Sequence, residues 1–290
     1  MTVRHRARAT AAVAALAVAA GLAGCSGDDG GSPAGLAAAT PSRSAQPAAA
    51  ASAAPPPSVS ATPADDGPPS ATRKLARVTR LTGELTPKSV VASPTGHVVA
   101  NNMIYTHTVS VFDSDHELVT TLRDRVTPAK FGFDSLAKPV RGGPVEAAFS
   151  PDGEHLWVSN YSMYGPGFSH PGDDVCAPST GVDRSFLYRV DTSSWKVDGL
   201  VRVGAVPKFV ATTPDGRTVL VTNWCTYDLS VIDTTTLKEV ARVPMGGSYP
   251  RGIAVTPDSR TAYVAVMGTT DVVRVDLAGI RAGKADADVV

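Results

Sequence analysis

One pattern recurs four times in this chain and constrains its fold more than any other feature. A Pro is followed seven residues later by a second Pro, then by an apolar strand, then by an Asp that closes a further strand. The first Pro is Pro87, Pro144, Pro207 and Pro250, the second is Pro94, Pro151, Pro214 and Pro257, and the closing Asp is Asp113, Asp191, Asp233 and Asp276. The step from second Pro to Asp is 19 residues in copies one, three and four and 40 in copy two, an insertion of 21. Repeats of this length are units that cannot bury their faces alone and must stack on one another.

The physics of one copy is legible in the third. Thr213-Pro214-Asp215-Gly216 is a tight turn, because Pro pre-sets φ and Gly tolerates positive φ. The runs on either side, Phe209 to Thr212 and Thr218 to Thr222, are apolar and β-branched and predict a hairpin. Leu229 to Asp233 and Glu239 to Val243 predict a third and a fourth strand. Four short antiparallel strands make one propeller blade. The expected fold is therefore all-β: a β-propeller of four-stranded antiparallel blades over residues 73–290, with four repeats visible. The Asp that ends each third strand is read as capping the following turn. Trp157 and Tyr263, on apolar second strands, are read as packing between blades.

These residues resemble the YVTN-type β-propeller repeat family. The likeness is carried in the second strand by Leu156-Trp157-Val158-Ser159-Asn160, Val219-Leu220-Val221-Thr222-Asn223 and Ala262-Tyr263-Val264-Ala265-Val266. In the third strand it is carried by Val109 to Asp113 and Leu229 to Asp233. Copy four departs from the pattern, with Val266 where copies two and three have Asn. The resemblance implies an exported propeller and leaves the activity open. Members of this family commonly have about seven blades, so four copies imply an incomplete ring, either truncated or an open arc joined by another chain. Leu75-Ala76-Arg77-Val78 is similar to the fourth strand of copy three, Val240 to Val243. It is the segment that would complete a last blade if the ring closed on itself.

The N-terminus reads as a processing segment. Arg4, Arg6 and Arg8 precede an apolar run, Ala11 to Ala20, which is shorter than the roughly 20 residues a membrane span needs. The run leads to Leu22-Ala23-Gly24-Cys25, which resembles a bacterial lipobox. The expectation is a lipoprotein signal peptide over 1–25, acylation at Cys25, and an exported protein held by that lipid on the outer face of the bacterial cytoplasmic membrane. Residues 26–72 are rich in Ala, Pro, Ser and Gly and poor in large apolar side chains, so they are expected to be a disordered tether. With Cys25 assigned to lipid, Cys176 and Cys225 remain. In an oxidising compartment a disulfide between them is the default expectation.

Lys plus Arg equals Asp plus Glu at 27 each, and no basic run interleaved with aromatics appears, so no nucleic-acid partner is expected. There is no G-x-S-x-G elbow, P-loop or H-E-x-x-H motif. His170, Asp173, Asp174 and Cys176 are metal-ligand types within the copy-two insertion, but a Gly/Pro-rich loop pinned by a disulfide is the preferred reading, and no metal or cofactor is expected. Two function classes stay open. The favoured one is a binding or scaffolding module for a cell-wall polymer, a surface protein or a small ligand. The alternative is an extracytoplasmic propeller enzyme, lactonase-like or quinone-cofactor dehydrogenase-like. An enzyme would gather His170, Asp173 or Glu146 at the channel mouth.

The binding face follows from topology. In an up-and-down blade the turn from strand two to three and the link to the next blade lie on one edge, and the Pro-Asp-Gly turns lie on the other. Both long insertions use the first edge: the copy-two loop around Tyr161 to Arg184, and a longer link around Asp124 to Arg141. Trp224, Cys225 and Tyr227 share that edge, as do the residues after each first Pro: Lys88, Val145, Lys208 and Arg251. Lys88, Tyr161, Tyr164, His170, Lys208, Trp224, Tyr227 and Arg251 are the candidate ligand-binding residues, suited to an anionic or sugar-like ligand.

Overall fold

The structure, a computed structural model, describes residue 74 and residues 76–284 and 287–289. The expected leader with Cys25, the tether over 26–72 and Leu75 lie outside the described residues. No helix among the described residues is long and apolar enough to cross a membrane.

The first blade is β1 (Ser89–Ala92), β2 (Val98–Asn102), β3 (Thr108–Phe112) and β4 (Leu118–Arg123). The second has five strands: β5 (Arg125–Val126), β6 (Val140–Phe149), β7 (His155–Tyr164), β8 (Phe186–Asp191) and β9 (Lys196–Arg202). The third is β10 (Pro207–Thr212), β11 (Thr218–Asn223), β12 (Asp228–Asp233) and β13 (Lys238–Pro244). The fourth is β14 (Pro250–Val255), β15 (Thr261–Val266), β16 (Val272–Asp276) and, after the short helix α1 (Leu277–Arg281), β17 (Ala287–Val289). All neighbouring strands are antiparallel. The four predicted blades are therefore present, with an additional inner strand on the second.

The repeated residues work as the sequence implied. Each closing Asp caps a turn: Asp113 accepts from the amides of Asp115 and Glu117, Asp191 from that of Ser194, Asp233 from those of Thr235 and Thr236, and Asp276 from that of Gly279. The Ser193 and Ser194 hydroxyls add two hydrogen bonds that push the Asp191 pKa down to about 2. At the Pro-Asp-Gly turn, Gly216 has φ +69°, in the region that favours glycine. Copy four has Ser259 there, at φ +59°. Its buried hydroxyl accepts from the Asp215 amide of the third blade at 3.0 Å, an inter-blade bond that glycine cannot make.

Blades stack through alternating faces of each sheet. Leu156 and Val158 face the first blade, packing with Val99, Val109 and Val111, whereas Trp157 faces the third blade and packs with Val210, Val219 and Val221. Leu220 faces the fourth blade, against Ala262 and Val264. A second-strand hydroxyl also reaches forward to the next inner strand. Ser159 Oγ donates to the Lys208 carbonyl at 2.8 Å, and Thr222 Oγ1 donates to the Arg251 carbonyl at 2.9 Å.

Two expectations meet the fourth blade. Val273 to Val275 pair with β17, and Ala76 to Arg80 form no strand, so the fourth blade is completed by its own C-terminal strand. Inner strands pack β1 on β6, β6 on β10 and β10 on β14, and no comparable packing joins β14 to β1 among the described residues. The reading of Tyr263 as inter-blade packing is corrected. It occupies the position of Trp157 and Leu220 but is 38% exposed, because no described blade covers that face. Ala265, exposed beside it, replaces the forward-donating Ser159 and Thr222.

Candidate functional site

The inner strands line the propeller axis, and Lys88 just before β1, Glu146 within β6, Lys208 in β10 and Arg251 in β14 converge there although they are far apart in sequence. Lys88 Nζ from the first blade and Arg251 Nη2 from the fourth approach the same Glu146 Oε1 of the second blade, at 3.7 and 3.6 Å. Lys208, from the third, lies close enough for both cations to act on its charge. Val145, the fourth residue of the set, is fully buried, and its carbonyl accepts from Ser89 Oγ at 2.7 Å.

Lys208 differs from its counterparts in being buried, with 3% of its side chain exposed. Its Nζ donates to Asp174 Oδ1 at 2.6 Å and lies 4.4 Å from the Tyr161 ring centroid and 5.2 Å from that of Trp224. Burial lowers the Lys208 pKa, and the Asp174 bond opposes that shift. Burial also pushes the Tyr161 hydroxyl up to about 12, with the Asp174 and Asp173 charges adding to it. An ammonium between two aromatic faces and one carboxylate is a favourable arrangement for a desolvated cation.

The inserted loop supplies Asp174, and three contacts hold the loop in place. Cys176 and Cys225 form a disulfide with a Cα–Cα separation of 5.2 Å. Trp224 Nε1 donates to the Asp174 carbonyl at 3.1 Å, and the Tyr227 hydroxyl donates to the Cys176 carbonyl at 3.0 Å. Tyr249 stacks on Trp224 with ring centroids 4.5 Å apart and meets Tyr227 edge-on. The result is an aromatic wall beside the axial cations.

Lys88, Tyr161, Lys208, Trp224, Tyr227 and Arg251 are therefore brought together around the axis and its loop. Tyr164 and His170 are not part of this group. Tyr164 lies at the far end of β7 and lines a cleft next to the first blade. His170 sits on the exposed outer part of the loop, its Nδ1 bonded to Ser169 Oγ and its amide to Asp183. Of the expected acid/base set, Asp173 caps the Val175 amide and Glu146 takes the two axial cations, so His170, Asp173 and Glu146 are engaged in separate contacts. The metal-ligand types of the loop are likewise divided, since Asp174 pairs with Lys208 and Cys176 is bonded to Cys225.

Sequence reasoning missed Asp174 as the partner of Lys208 and Tyr249 as the ring stacked on Trp224. Tyr249 immediately precedes the fourth repeat's first Pro, a position with no motif of its own. It also missed Asp152, Glu154 and His155, whose ligand atoms lie within 4.8 Å of one another on the opposite edge. Asp152 there already accepts from Ser150 Oγ and the Glu154 amide, which accounts for the geometry of that turn.

No protein-family profile matches the chain, and no curated protein matches it. Among solved structures it is similar to Kuenenia stuttgartiensis hydrazine synthase, with 21% identity, a TM-score of 0.51, and coverage of 75% of this chain and 53% of that one. A second similarity is to the dihydro-haem d1 dehydrogenase NirN in complex with DHE, with 21% identity, a TM-score of 0.44, and coverage of 70% of this chain and 36% of that one. The chain thus spans about half the length of the first structure it matches. At such identity the likeness concerns the fold alone, and the fold of this chain is a β-propeller of four-stranded blades.

Proposed function

We propose that this chain is an exported, lipid-anchored propeller of the YVTN type. It acts as a binding module on the outer face of the bacterial cytoplasmic membrane, and its axial cluster takes a carboxylate of a cell-wall polymer or surface protein. The observation that carries this reading is the convergence of Lys88, Lys208 and Arg251 on one edge, facing the two carboxylates Glu146 and Asp174 beside the Trp224 and Tyr161 rings. Lys88 and Arg251 share a single Glu146 oxygen at 3.7 and 3.6 Å, so both cations keep donors for a further anion. Asp174, exposed and carried on a loop, already shows that a carboxylate fits against Lys208. The placement of the long loops on this edge supports the same reading, because loops on a rigid scaffold are where binding commonly resides. The lipobox-like Leu22 to Cys25 supports the anchor.

Retention of the whole chain on an immobilised uronic-acid polysaccharide tests the site. Arg251→Ala and Lys88→Ala are each expected to weaken retention several-fold and to lower its salt dependence. Retention untouched by both, yet abolished by Asp258→Ala on the opposite edge, overturns the assignment. Metabolic labelling with a radioactive fatty acid tests the anchor: the label is expected on the wild type and absent from Cys25→Ala.

A further inference from the structure

The extra strand of the second blade creates a row of side chains that no repeat pattern contains. β5 pairs with β6 so that Arg125 lies opposite Arg141, and β6 pairs with β7 so that Arg141 lies opposite Tyr164. Residues directly opposite in an antiparallel sheet share a face, so Arg125, Arg141 and Tyr164 form one row across three strands. Like charges in directly opposed positions are destabilising. Both arginines are exposed, and neither has a carboxylate or other polar partner among the described residues.

The row borders two clefts that meet at Arg141 and Tyr164. One, of about 530 Å³, is also lined by Tyr105, Thr106 and His107 from the β2–β3 turn of the first blade. The other, of about 290 Å³, adds Arg125 and the Pro139–Val140 segment. Volumes of several hundred cubic ångströms suit a ligand of one or two rings. Tyr105 is 79% and Tyr164 45% exposed, so two aromatic faces stand beside two unneutralised guanidinium groups.

The walls are held rigidly. His107 Nδ1 bonds the Gly142 carbonyl at 3.1 Å, and the His107 carbonyl accepts from the Asp124 amide at 3.1 Å, tying the first blade to both arginine-bearing strands. Gly142 admits no side chain, since a Cβ there would lie 2.8 Å from both Met163 Sδ and the Tyr161 carbonyl. Asp124, next to Arg125 in sequence, forms no ion pair with either arginine among the described residues. It is buried, and that burial pushes its pKa up to about 7.

We infer that the row Arg125–Arg141–Tyr164 is a second binding site, for a sugar or polyol that carries a phosphate group. Two adjacent guanidinium forks match the charge of a phosphate monoester and offer it paired donors, which a single cation does not. The tyrosine rings give the sugar ring an apolar face to lie against, and Thr106 and His107 edge the same cleft. None of the axial residues takes part, so this inference does not rest on the carboxylate reading above.

Calorimetric titration of the whole chain with glucose 6-phosphate, with glucose and with poly(glycerol phosphate) tests it. Glucose 6-phosphate is expected to bind, glucose to bind at least tenfold more weakly, and Arg125→Ala and Arg141→Ala each to weaken the phosphate ester at least tenfold. Tyr164→Ala is expected to weaken glucose 6-phosphate more than inorganic phosphate. Arg217→Ala, an exposed cation on the opposite edge, is expected to leave binding unchanged. Without ligand, Arg141→Ala is expected to unfold at a temperature no lower than the wild type, because it relieves the like-charge pair. Binding of the polymer alone, lost in Arg141→Ala, supports the site and assigns the phosphate to a repeating polymer. Binding of neither phosphate probe, or binding insensitive to both arginine substitutions, overturns it.

Discussion

Lys208 Nζ lies 2.6 Å from Asp174 Oδ1, and the two residues reach this contact from opposite environments. The lysine side chain is 3% exposed at the start of an inner strand, whereas the aspartate is 67% exposed on an inserted loop. Removing the two partners therefore has unequal consequences. Asp174→Ala leaves a buried ammonium with only its aromatic neighbours and is expected to cost about 1 kcal/mol, discounted from the fully buried case for solvent screening. Lys208→Met leaves an exposed carboxylate in water and fills the same space, so it is expected to be nearly neutral. Denaturant unfolding of both variants checks the order, and a greater loss in Lys208→Met contradicts it.

The disulfide ties the loop that bears Asp174 to the third blade across a sequence separation of 49 residues. Reduction, or Cys176→Ser with Cys225→Ser, is expected to lower stability by roughly 2 to 4 kcal/mol. Cleavage by a non-specific protease is expected to appear first within residues 165–185. A melting temperature unchanged by reductant contradicts the first expectation.

Asp124 gives the second blade a pH dependence of defined sign. Its carboxyl is pushed from 3.8 to about 7 by burial, which outweighs the opposing effect of the Tyr188 hydroxyl and the Gly142 amide. Because the folded state holds this proton more tightly than the unfolded chain, stability contributed by the protonated form is present at low pH. That stability is lost progressively from about pH 4 to about pH 7, after which the difference is constant. Asp124→Asn removes the titration. The variant is expected to match the wild type near pH 4 and to exceed it by a few kcal/mol at pH 8, on the order of 1.4 kcal/mol per pKa unit. Equal stability gains at both pH values would falsify the assignment.

Trp157 and Tyr263 occupy the same repeat position, yet Trp157 is 1% exposed between the second and third blades and Tyr263 is open. Trp157→Ala is expected to cost about 3 to 5 kcal/mol through the cavity it leaves. Tyr263→Ala is expected to stay within roughly 0.5 kcal/mol of the wild type. Comparable losses in both would show that Tyr263 is covered in solution.

The repeat itself was readable from the residues because its determinants are local. A Ser or Thr followed by Pro-Asp-Gly makes a turn with bonds to the next few residues, and Asp233 caps with amides two and three positions on. Continuous apolar runs such as Val219 to Val221 then mark strands covered on both faces. The edge on which the long loops gather followed from up-and-down connectivity, and the pairing of Cys176 with Cys225 from the two thiols left once Cys25 is set aside. What lay beyond the sequence depends on contacts between blades. Nothing local marks Lys208 as buried while Lys88 and Arg251 stay half-exposed, because the cover comes from a loop 34 residues upstream. Nothing local places Arg125 opposite Arg141, because that register is set by an extra strand formed in a link that reads as a plain insertion. Tyr263 reads as core from its strand and is exposed in the fold, since a β-sheet face is buried only when another sheet covers it. The sequence of one blade carries its own pleat, while the burial of each face is decided by its neighbour.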